Sequence, residues 1–213
     1  MDWNQFLFLL GGLKWTLALS AVGFVVGAVA GLGVALARTS GHRMLERCTA
    51  GYIALFQGTP LLMQLFVVYY GLALAGLKID AWIAVSIGFT LHASAYLGEI
   101  WRGSIEAVPR GQSEAAKALS LNYVSRMKDV VLPQAIRISL PATIGFLVQL
   151  IKGTSLAAII GFTELMRAGT IVSNQNFKPL LVLGLVGALY FAICWPLSFY
   201  GARLEQRLAT AAR

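Results

Sequence analysis

Residues 102–137 read RGSIEAVPRGQSEAAKALSLNYVSRMKDVVLPQAIR, and this stretch decides how the whole chain is organised. It holds six of the seventeen Lys and Arg residues, and long apolar segments lie on both sides of it. Because charged side chains are costly to bury in hydrocarbon, such a stretch lies outside a bilayer. The sequence therefore predicts an exposed loop, here called the charged loop, that a soluble partner can bind.

Composition places the rest of the chain in a membrane. The 213 residues are 58% hydrophobic and 12% charged, whereas soluble domains carry roughly 25% charged residues. The net charge of +8 does not indicate nucleic-acid binding, because the basic residues lie between apolar segments without interleaved aromatic ones. Cys48 and Cys194 are far apart in the sequence, so neither a metal site nor a disulfide framework is predicted.

Five segments meet the requirement of about 20 largely apolar residues for a membrane-spanning helix. No linker or internal repeat separates them. The predicted fold is therefore all-α and integral to the membrane, with one transmembrane domain over residues 1–213. The predicted spans are residues 14–37, 52–76, 80–101, 138–160 and 180–201.

Five spans place the two termini on opposite sides of the membrane, and the distribution of Lys and Arg indicates which side is which. Cytoplasmic loops carry an excess of these residues, so the N-terminus is predicted outside, with the C-terminus and the charged loop inside. In this orientation Lys152 lies within a span and four basic residues are outside: Lys14, Lys78, Arg167 and Lys178. Twelve are cytoplasmic: Arg38, Arg43, Arg47, Arg102, Arg110, Lys117, Arg126, Lys128, Arg137, Arg203, Arg207 and Arg213.

The first span carries Gly23, Gly27 and Gly31 on one helical face. Glycines at this spacing allow two helix backbones to approach each other closely. A neighbouring helix is therefore predicted on this face, although glycine is also common in membrane helices that make no such contact.

Within the charged loop, Pro109 and Gly111 are predicted to end any helix that leaves the third span. Ser113 is then expected to cap a new short helix. A second short helix is predicted after residues 120–122, and Pro133 suits the first turn of the helix that follows it. The same features fit an ordinary amphipathic connector, so these residues alone leave both interpretations open.

Four motifs carry a resemblance to a known family. Glu114-Ala115-Ala116, the short residue Ser120 and the Leu132-Pro133 pair resemble the EAA loop of ABC importer permeases. Three other stretches are similar to the polar amino acid branch of that family: FQGTPLLMQLF at 56–66, AYLGEIWRG at 95–103 and KGTSL at 152–156. The similarity extends over nearly the whole chain, about residues 13–205.

The resemblance implies a type I ABC importer transmembrane domain of MetI-like fold. In that family two permease chains form the pathway, each EAA loop docks on an ATPase subunit, and an extracytoplasmic solute-binding protein delivers the substrate. This chain has no Gly-x-x-x-x-Gly-Lys-Ser/Thr loop, so ATP and Mg²⁺ are expected on the ATPase, and this chain is expected to bind no cofactor and to be no enzyme by itself. The ATPase-coupling residues carried over are Gly111, Gln112, Glu114, Ala115, Ala116, Leu119 and Ser120.

Three positions depart from the family pattern. Ser120 stands where the family usually has glycine, Gln57 where it has arginine and Gly153 where it has aspartate. A positive φ costs a non-glycine residue roughly 1–2 kcal/mol, so either Ser120 holds a different turn or Asn122 adopts that conformation. The changes at 57 and 153 remove charges at membrane depth, so the identity of the substrate does not transfer from relatives.

Polar residues at membrane depth are expected to face a cavity or a partner. Gln149, Lys152 and Ser155 share one face of the fourth span. Lys152 is expected either to attract a substrate carboxylate or to pair with Glu99 or a backbone carbonyl. Pro60 is expected either to break the second span at a substrate site, as in many transporters, or to kink it for packing alone. The predicted pathway residues are Gln57, Thr59, Pro60, Gln64, Glu99, Gln149, Lys152, Thr154 and Ser155.

Other polar residues are assigned structural roles. His92, in the third span, is predicted to be a hydrogen-bonded structural residue rather than a ligand. Glu99, near the cytoplasmic end of that span, is as well suited to pair with Arg102 as to contact a substrate. Glu164 and Arg167 fall in the outer loop after the fourth span, where solvated charges are expected.

The sequence therefore predicts an inner-membrane permease that works as a dimer of permease chains and imports a polar amino acid. Its expected partners are two ATPase subunits, a solute-binding protein and the lipid bilayer, but no nucleic acid. The main rival is a stand-alone secondary carrier driven by an ion gradient through Lys152 and Glu99. The small number of spans, the lack of an internal repeat and the charged loop disfavour that rival. A purely structural subunit leaves the polar residues without a role.

Overall fold

A computed structural model describes residues 1–211, which form eight helices and contain no strand, as the predicted all-α class requires. α3 includes a π-helical turn, Val67–Gly71, and α6 includes another, Arg126–Val131, before it ends in the 3₁₀ turn Thr154–Ala158. Arg213, counted above among the cytoplasmic charges, lies outside the described residues. The helices are α1 (Trp3–Arg38), α2 (Arg43–Gln57), α3 (Leu61–Leu74), α4 (Ala81–Glu106), α5 (Arg110–Ala118), α6 (Tyr123–Ala158), α7 (Leu165–Asn176) and α8 (Pro179–Ala211).

Four of these helices, α1, α4, α6 and α8, are long and apolar enough to cross a bilayer. The count reaches five, as predicted, when α2 and α3 are taken as one span, but their axes are bent by 104°. Of the two alternatives for Pro60, a broken helix and a packing kink, the structure has the break. Two separate helices occupy that stretch, joined at Gly58-Thr59-Pro60.

Two helices begin earlier than the spans predicted within them. α1 starts at Trp3 rather than near residue 14: residues 6–13 are apolar, and the backbone N–H of Asp2 donates to Oε1 of Gln5 at the helix start. α6 starts at Tyr123 rather than near residue 138, and Oδ1 of Asn122 caps this start by accepting from the N–H of Ser125, 2.9 Å away.

The glycine face of α1 packs against α4, which is the most extensive contact between two helices. Gly23, Gly27 and Gly31 are all buried. A Cβ atom at Gly27 would lie 2.5 Å from the Cβ of Ala93, so only glycine fits this approach. The predicted neighbouring helix is confirmed and is α4.

The two largest of four apolar clusters in the described residues join most of the helices. The larger one joins α1, α3, α4 and α6, with Phe89 of α4 fully buried at its centre. The smaller one joins the first turns of α1 to α7 and α8, and Leu9 and Leu165 are fully buried in it. α7 lies where only an outer loop was predicted.

The charged loop is more helical than predicted. α4 continues through Glu106, and α5 begins at Arg110 directly after Pro109, so Ser113 lies inside α5 and is not its N-cap. The second predicted short helix is the start of α6, which continues past Pro133 through the π-helical turn. Pro133 stands at the first positions of the α-helical stretch Leu132–Gly153 that follows this turn, where the missing donor of proline is tolerated.

Candidate functional site

The break between α2 and α3 is built by Gly58, Thr59 and Pro60. Pro60 has no backbone N–H, so it cannot donate to the carbonyl of Phe56. Gly58 approaches the preceding turn so closely that a Cβ atom there would lie 2.8 Å from the carbonyl oxygen of Ala54. The sequence thus forces both the end of α2 and the change of direction.

The side chain of Gln64 stabilises this break. Its Nε2 donates to the carbonyl oxygen of Phe56 at 2.7 Å and to that of Thr59 at 3.0 Å. Its Oε1 lies 2.9 Å from Nδ1 of His92 on α4. Because this oxygen can only accept, Nδ1 carries the proton and Nε2 of the neutral imidazole is left as an acceptor. His92 therefore has the predicted structural hydrogen bond.

A cavity of about 700 Å³ lies between the break, α4 and α6, and is called here the break cavity. Its volume falls in the usual range for small-molecule sites. Residues from α2–α3, from the middle of α4 and from the end of α6 face one another across it. The lining residues are Gln57, Gly58, Thr59, Pro60, Leu61, His92, Tyr96, Gln149, Leu150, Lys152, Gly153, Ser155 and Leu156.

Six of the nine predicted pathway residues line the break cavity: Gln57, Thr59, Pro60, Gln149, Lys152 and Ser155. Three do not. Gln64 is buried in the break, and Thr154 is fully buried with its hydroxyl donating to the carbonyl of Ile151 at 2.7 Å. Glu99 lies further along α4. His92 and Tyr96, four residues apart on one face of α4, both line the cavity.

Glu99 is held in an ion pair away from the break cavity. Arg102 donates from Nε and Nη2 to the two carboxylate oxygens of Glu99, at 2.8 and 2.6 Å. Nη1 of the same guanidinium donates to Glu106 at 2.6 Å. This bidentate geometry satisfies Glu99. Of the partners weighed above, the structure therefore selects Arg102 and not Lys152.

Three exposed polar side chains of the break cavity form no hydrogen bond within the described part of the chain: Lys152, Gln57 and Gln149. Lys152 also forms no ion pair there. Their polar groups are therefore open to a ligand. Their convergence on one cavity makes it the candidate binding site for a polar ligand.

A second candidate surface is the exposed side of α5. Glu114 and Ala115 are exposed, and Leu119 exposes 76% of its surface. Ala116 is only 3% exposed, because α5 packs on the π-helical part of α6, so its side chain is not part of the surface predicted for it. The exposed members of the predicted coupling set are Gly111, Gln112, Glu114, Ala115, Leu119 and Ser120.

Ser120 ends α5 with a φ of 59°. Its N–H donates to the carbonyl of Lys117 at 2.9 Å, and the N–H of Leu121 donates to that of Ala116 at 3.1 Å. This is the Schellman arrangement, in which glycine is usual at the left-handed position. Ser120 itself therefore adopts the positive φ. It does not hold a different turn, and Asn122 does not take this conformation in its place.

We expect the Ser120→Gly variant to be more stable than the wild type by about 1 kcal/mol, because glycine removes the Cβ penalty of the left-handed conformation. The measurement is the thermal unfolding midpoint of the purified chain in detergent. Ser113→Gly, in the interior of α5, is the control and is expected to lower the midpoint. A lower midpoint for both variants would contradict the assigned turn.

The surroundings of the Glu164 side chain differ most from those predicted. It is fully buried at the N-terminus of α7, where its carboxylate accepts from the N–H groups of Met166 and Arg167 at 2.9 and 2.8 Å. It also accepts from the hydroxyls of Tyr190 at 2.8 Å and Thr16 at 3.3 Å. The expected solvated charge is instead a buried junction of α1, α7 and α8.

Known proteins resemble this chain over most of its length. A family model described as "Binding-protein-dependent transport system inner membrane component" matches residues 8–210. The chain is 37% identical over 206 residues to "Probable amino-acid ABC transporter permease protein YckA" of Bacillus subtilis (strain 168), covering 97% of this chain and 91% of that one. It is 36% identical to "Arginine transport system permease protein ArtQ" of the same organism, covering 96% and 94%.

A solved structure has the same architecture. The match is to "Crystal structure of an amino acid ABC transporter with histidines", with a TM-score of 0.87 and 31% sequence identity. It covers 97% of this chain and 99% of the other. The similarity therefore extends to the break, to α5 and to the long α6.

Proposed function

Because this chain belongs to the family of binding-protein-dependent transport system inner membrane components, we propose that it is the membrane subunit through which an ATP-driven importer moves a polar amino acid. Members of this family are permease components of ABC importers and not enzymes on their own. The break cavity is the proposed binding site for the amino acid. The exposed side of α5 is the proposed docking surface for an ATPase subunit.

The observation that carries this proposal is the continuity of α6. Its 36 residues run from Tyr123, just after the turn at Ser120 that ends α5, to Ala158, just past the break cavity. At 1.5 Å per residue such a helix is about 50 Å long. Gln149, Lys152 and the docking surface are thus connected by one helix and one tight turn.

This connection supplies a mechanism. When ATP closes the two ATPase subunits, the α5 helices of two permease chains move together, and α6 transmits the movement to the wall of the break cavity. The cavity then opens alternately to the two sides of the membrane. One chain lines only one wall of a pathway, so a second permease chain, identical or homologous, is part of the proposal.

The proposal also assigns places to the solute-binding protein and to the nucleotide. A solute-binding protein delivers the amino acid on the side opposite α5, and ATP and Mg²⁺ are held by the ATPase. The excess of basic residues at the α5 end of the bundle supports a cytoplasmic charged loop and C-terminus in the inner membrane.

The test is uptake of labelled amino acids by proteoliposomes that contain this chain, its ATPase subunit and its solute-binding protein. Uptake is expected only with ATP on the ATPase side. Glu114→Lys reverses a charge on the exposed side of α5, so ATPase co-purification and ATP-driven uptake are expected to fall at least tenfold.

Glu205→Lys is the matched control, because it makes the same charge change at an exposed position of α8. It is expected to retain both activities. Uptake by the purified chain without ATP would overturn the proposal and favour a secondary carrier. Unchanged ATPase association of Glu114→Lys would remove the docking role of α5.

A further inference from the structure

We propose that the break cavity accepts amino acids of net charge zero or −1, held through Lys152, and excludes cationic ones. The inference rests on the proposed function and narrows its substrate class. It starts from the three cavity residues without partners, Lys152, Gln57 and Gln149. Gln149 and Lys152 are three residues apart on α6 and therefore on the same face.

Lys152 is the only charged residue among the described residues that line the break cavity. Two carboxylates of neighbouring helices are not available to balance it. Glu99 is paired with Arg102, and Glu164 accepts four hydrogen bonds while fully buried. The wall of the cavity that this chain supplies therefore has a net charge of +1.

An amino acid ligand can satisfy this lining. Its α-carboxylate pairs with the Lys152 ammonium, which is otherwise an uncompensated charge in the membrane. Its α-ammonium needs acceptors, and each of the two glutamine amides offers a carbonyl oxygen that is not in use. The lining thus contains partners for both charged groups that all amino acids share.

The side chain of the ligand decides the charge balance. A neutral amino acid leaves the occupied cavity at +1, an acidic one brings it to zero, and a cationic one raises it to +2. Two like charges about 6 Å apart in a protein interior repel strongly enough to weaken binding on the order of 10- to 100-fold. Arginine, which appears in the name of one relative, is therefore expected to bind this cavity more weakly than glutamine or glutamate.

Equilibrium binding to the purified permease–ATPase complex in detergent tests the inference. The solute-binding protein is left out because it imposes a selectivity of its own. The probes are labelled L-glutamine, L-glutamate and L-arginine. The dissociation constants of glutamine and glutamate are expected to be at least tenfold lower than that of arginine. Equal or tighter binding of arginine overturns the inference, as does a lack of binding of all three probes.

Two substitutions assign the selectivity to these residues. Gln149→Glu adds a carboxylate of the same size beside Lys152, so arginine is expected to bind at least tenfold more tightly and glutamate more weakly. Lys152→Gln is expected to weaken glutamine and glutamate binding at least tenfold. A Gln149→Glu complex that elutes like the wild type and still discriminates against arginine as strongly would overturn the assignment.

ATP-driven uptake separates this inference from the proposed function. If the complete system imports amino acids with ATP but arginine binds the cavity as well as glutamine, the charge selectivity fails and the importer function stands. If uptake does not depend on ATP or on the ATPase subunit, the importer function fails whatever the order of the three affinities.

Discussion

The Gly27→Leu variant is expected to lose the packing of α1 on α4 and to be recovered mostly as aggregate. A Cβ atom at residue 27 would lie 2.5 Å from the Cβ of Ala93 and 3.2 Å from the carbonyl oxygen of Thr90. Neither atom is the end of a flexible side chain, so the helices must separate to admit a larger residue. Overpacking typically costs about 1–3 kcal/mol, and here it acts on the largest helix contact in the bundle.

Gly33→Leu is the matched control for this substitution. It lies in the same helix, but a Cβ atom there meets nothing within 4 Å. Leucine also favours the helix more than glycine does, by about 0.8 kcal/mol. Size-exclusion profiles and thermal unfolding midpoints of both variants in the same detergent give the comparison. A Gly27→Leu chain as monodisperse and stable as Gly33→Leu would show that α1 and α4 do not approach this closely.

The spacing of Gly23, Gly27 and Gly31 predicted this contact, because a small-residue face on a membrane helix has few other uses. It did not predict that α4 is the partner. The identity of the partner depends on Ala93 and Gly98 of α4. Both residues are small and lie opposite Gly27 and Gly31 of α1. Complementarity between two helices is visible only when both are placed in space.

The position of the break between α2 and α3 was predicted from Pro60, but its nature was left open. Pro60 indicates a freed carbonyl, which fits either a broken helix or a kink within one helix. The full turn is possible because Gln64 supplies the missing donor and His92 holds Gln64 in place. His92 comes from another helix, and an interaction over 28 residues leaves no local pattern.

The predicted site residues also divide into those that helical periodicity located and those whose surroundings depend on other helices. Gln149, Lys152 and Ser155 were grouped by helical periodicity, and they line the break cavity as a group. Thr154 is next to two of them but points into the bundle, as the period of a helix requires. Glu164 followed an apolar span and was assigned to solvent, since no signal in the sequence announces the donors that surround it.

The second large effect is a loss of stability, expected for Glu164→Ala because this change removes the acceptor that these donors share. The carboxylate caps α7 through two backbone N–H groups and accepts the hydroxyls of Thr16 and Tyr190. Removing it takes the shared acceptor from four donors, of which the Thr16 hydroxyl is fully buried. Each unsatisfied donor costs about 1–3 kcal/mol, and loss of an N-cap costs about 0.5–2 kcal/mol. Even with partial relaxation, the unfolding midpoint is expected to fall by roughly 5–10 °C.

A graded series separates this junction from a general effect of losing a charge. Tyr190→Phe removes one of the four donors and keeps the carboxylate, so it is expected to lower the midpoint less than Glu164→Ala does. Asp129→Ala removes an exposed carboxylate and is expected to leave the midpoint unchanged. If Glu164→Ala unfolds at the same temperature as Asp129→Ala, the buried junction does not hold α1, α7 and α8 together. The predicted order places Asp129→Ala highest and Glu164→Ala lowest, because the first breaks no hydrogen bond of the junction, Tyr190→Phe breaks one and Glu164→Ala breaks four.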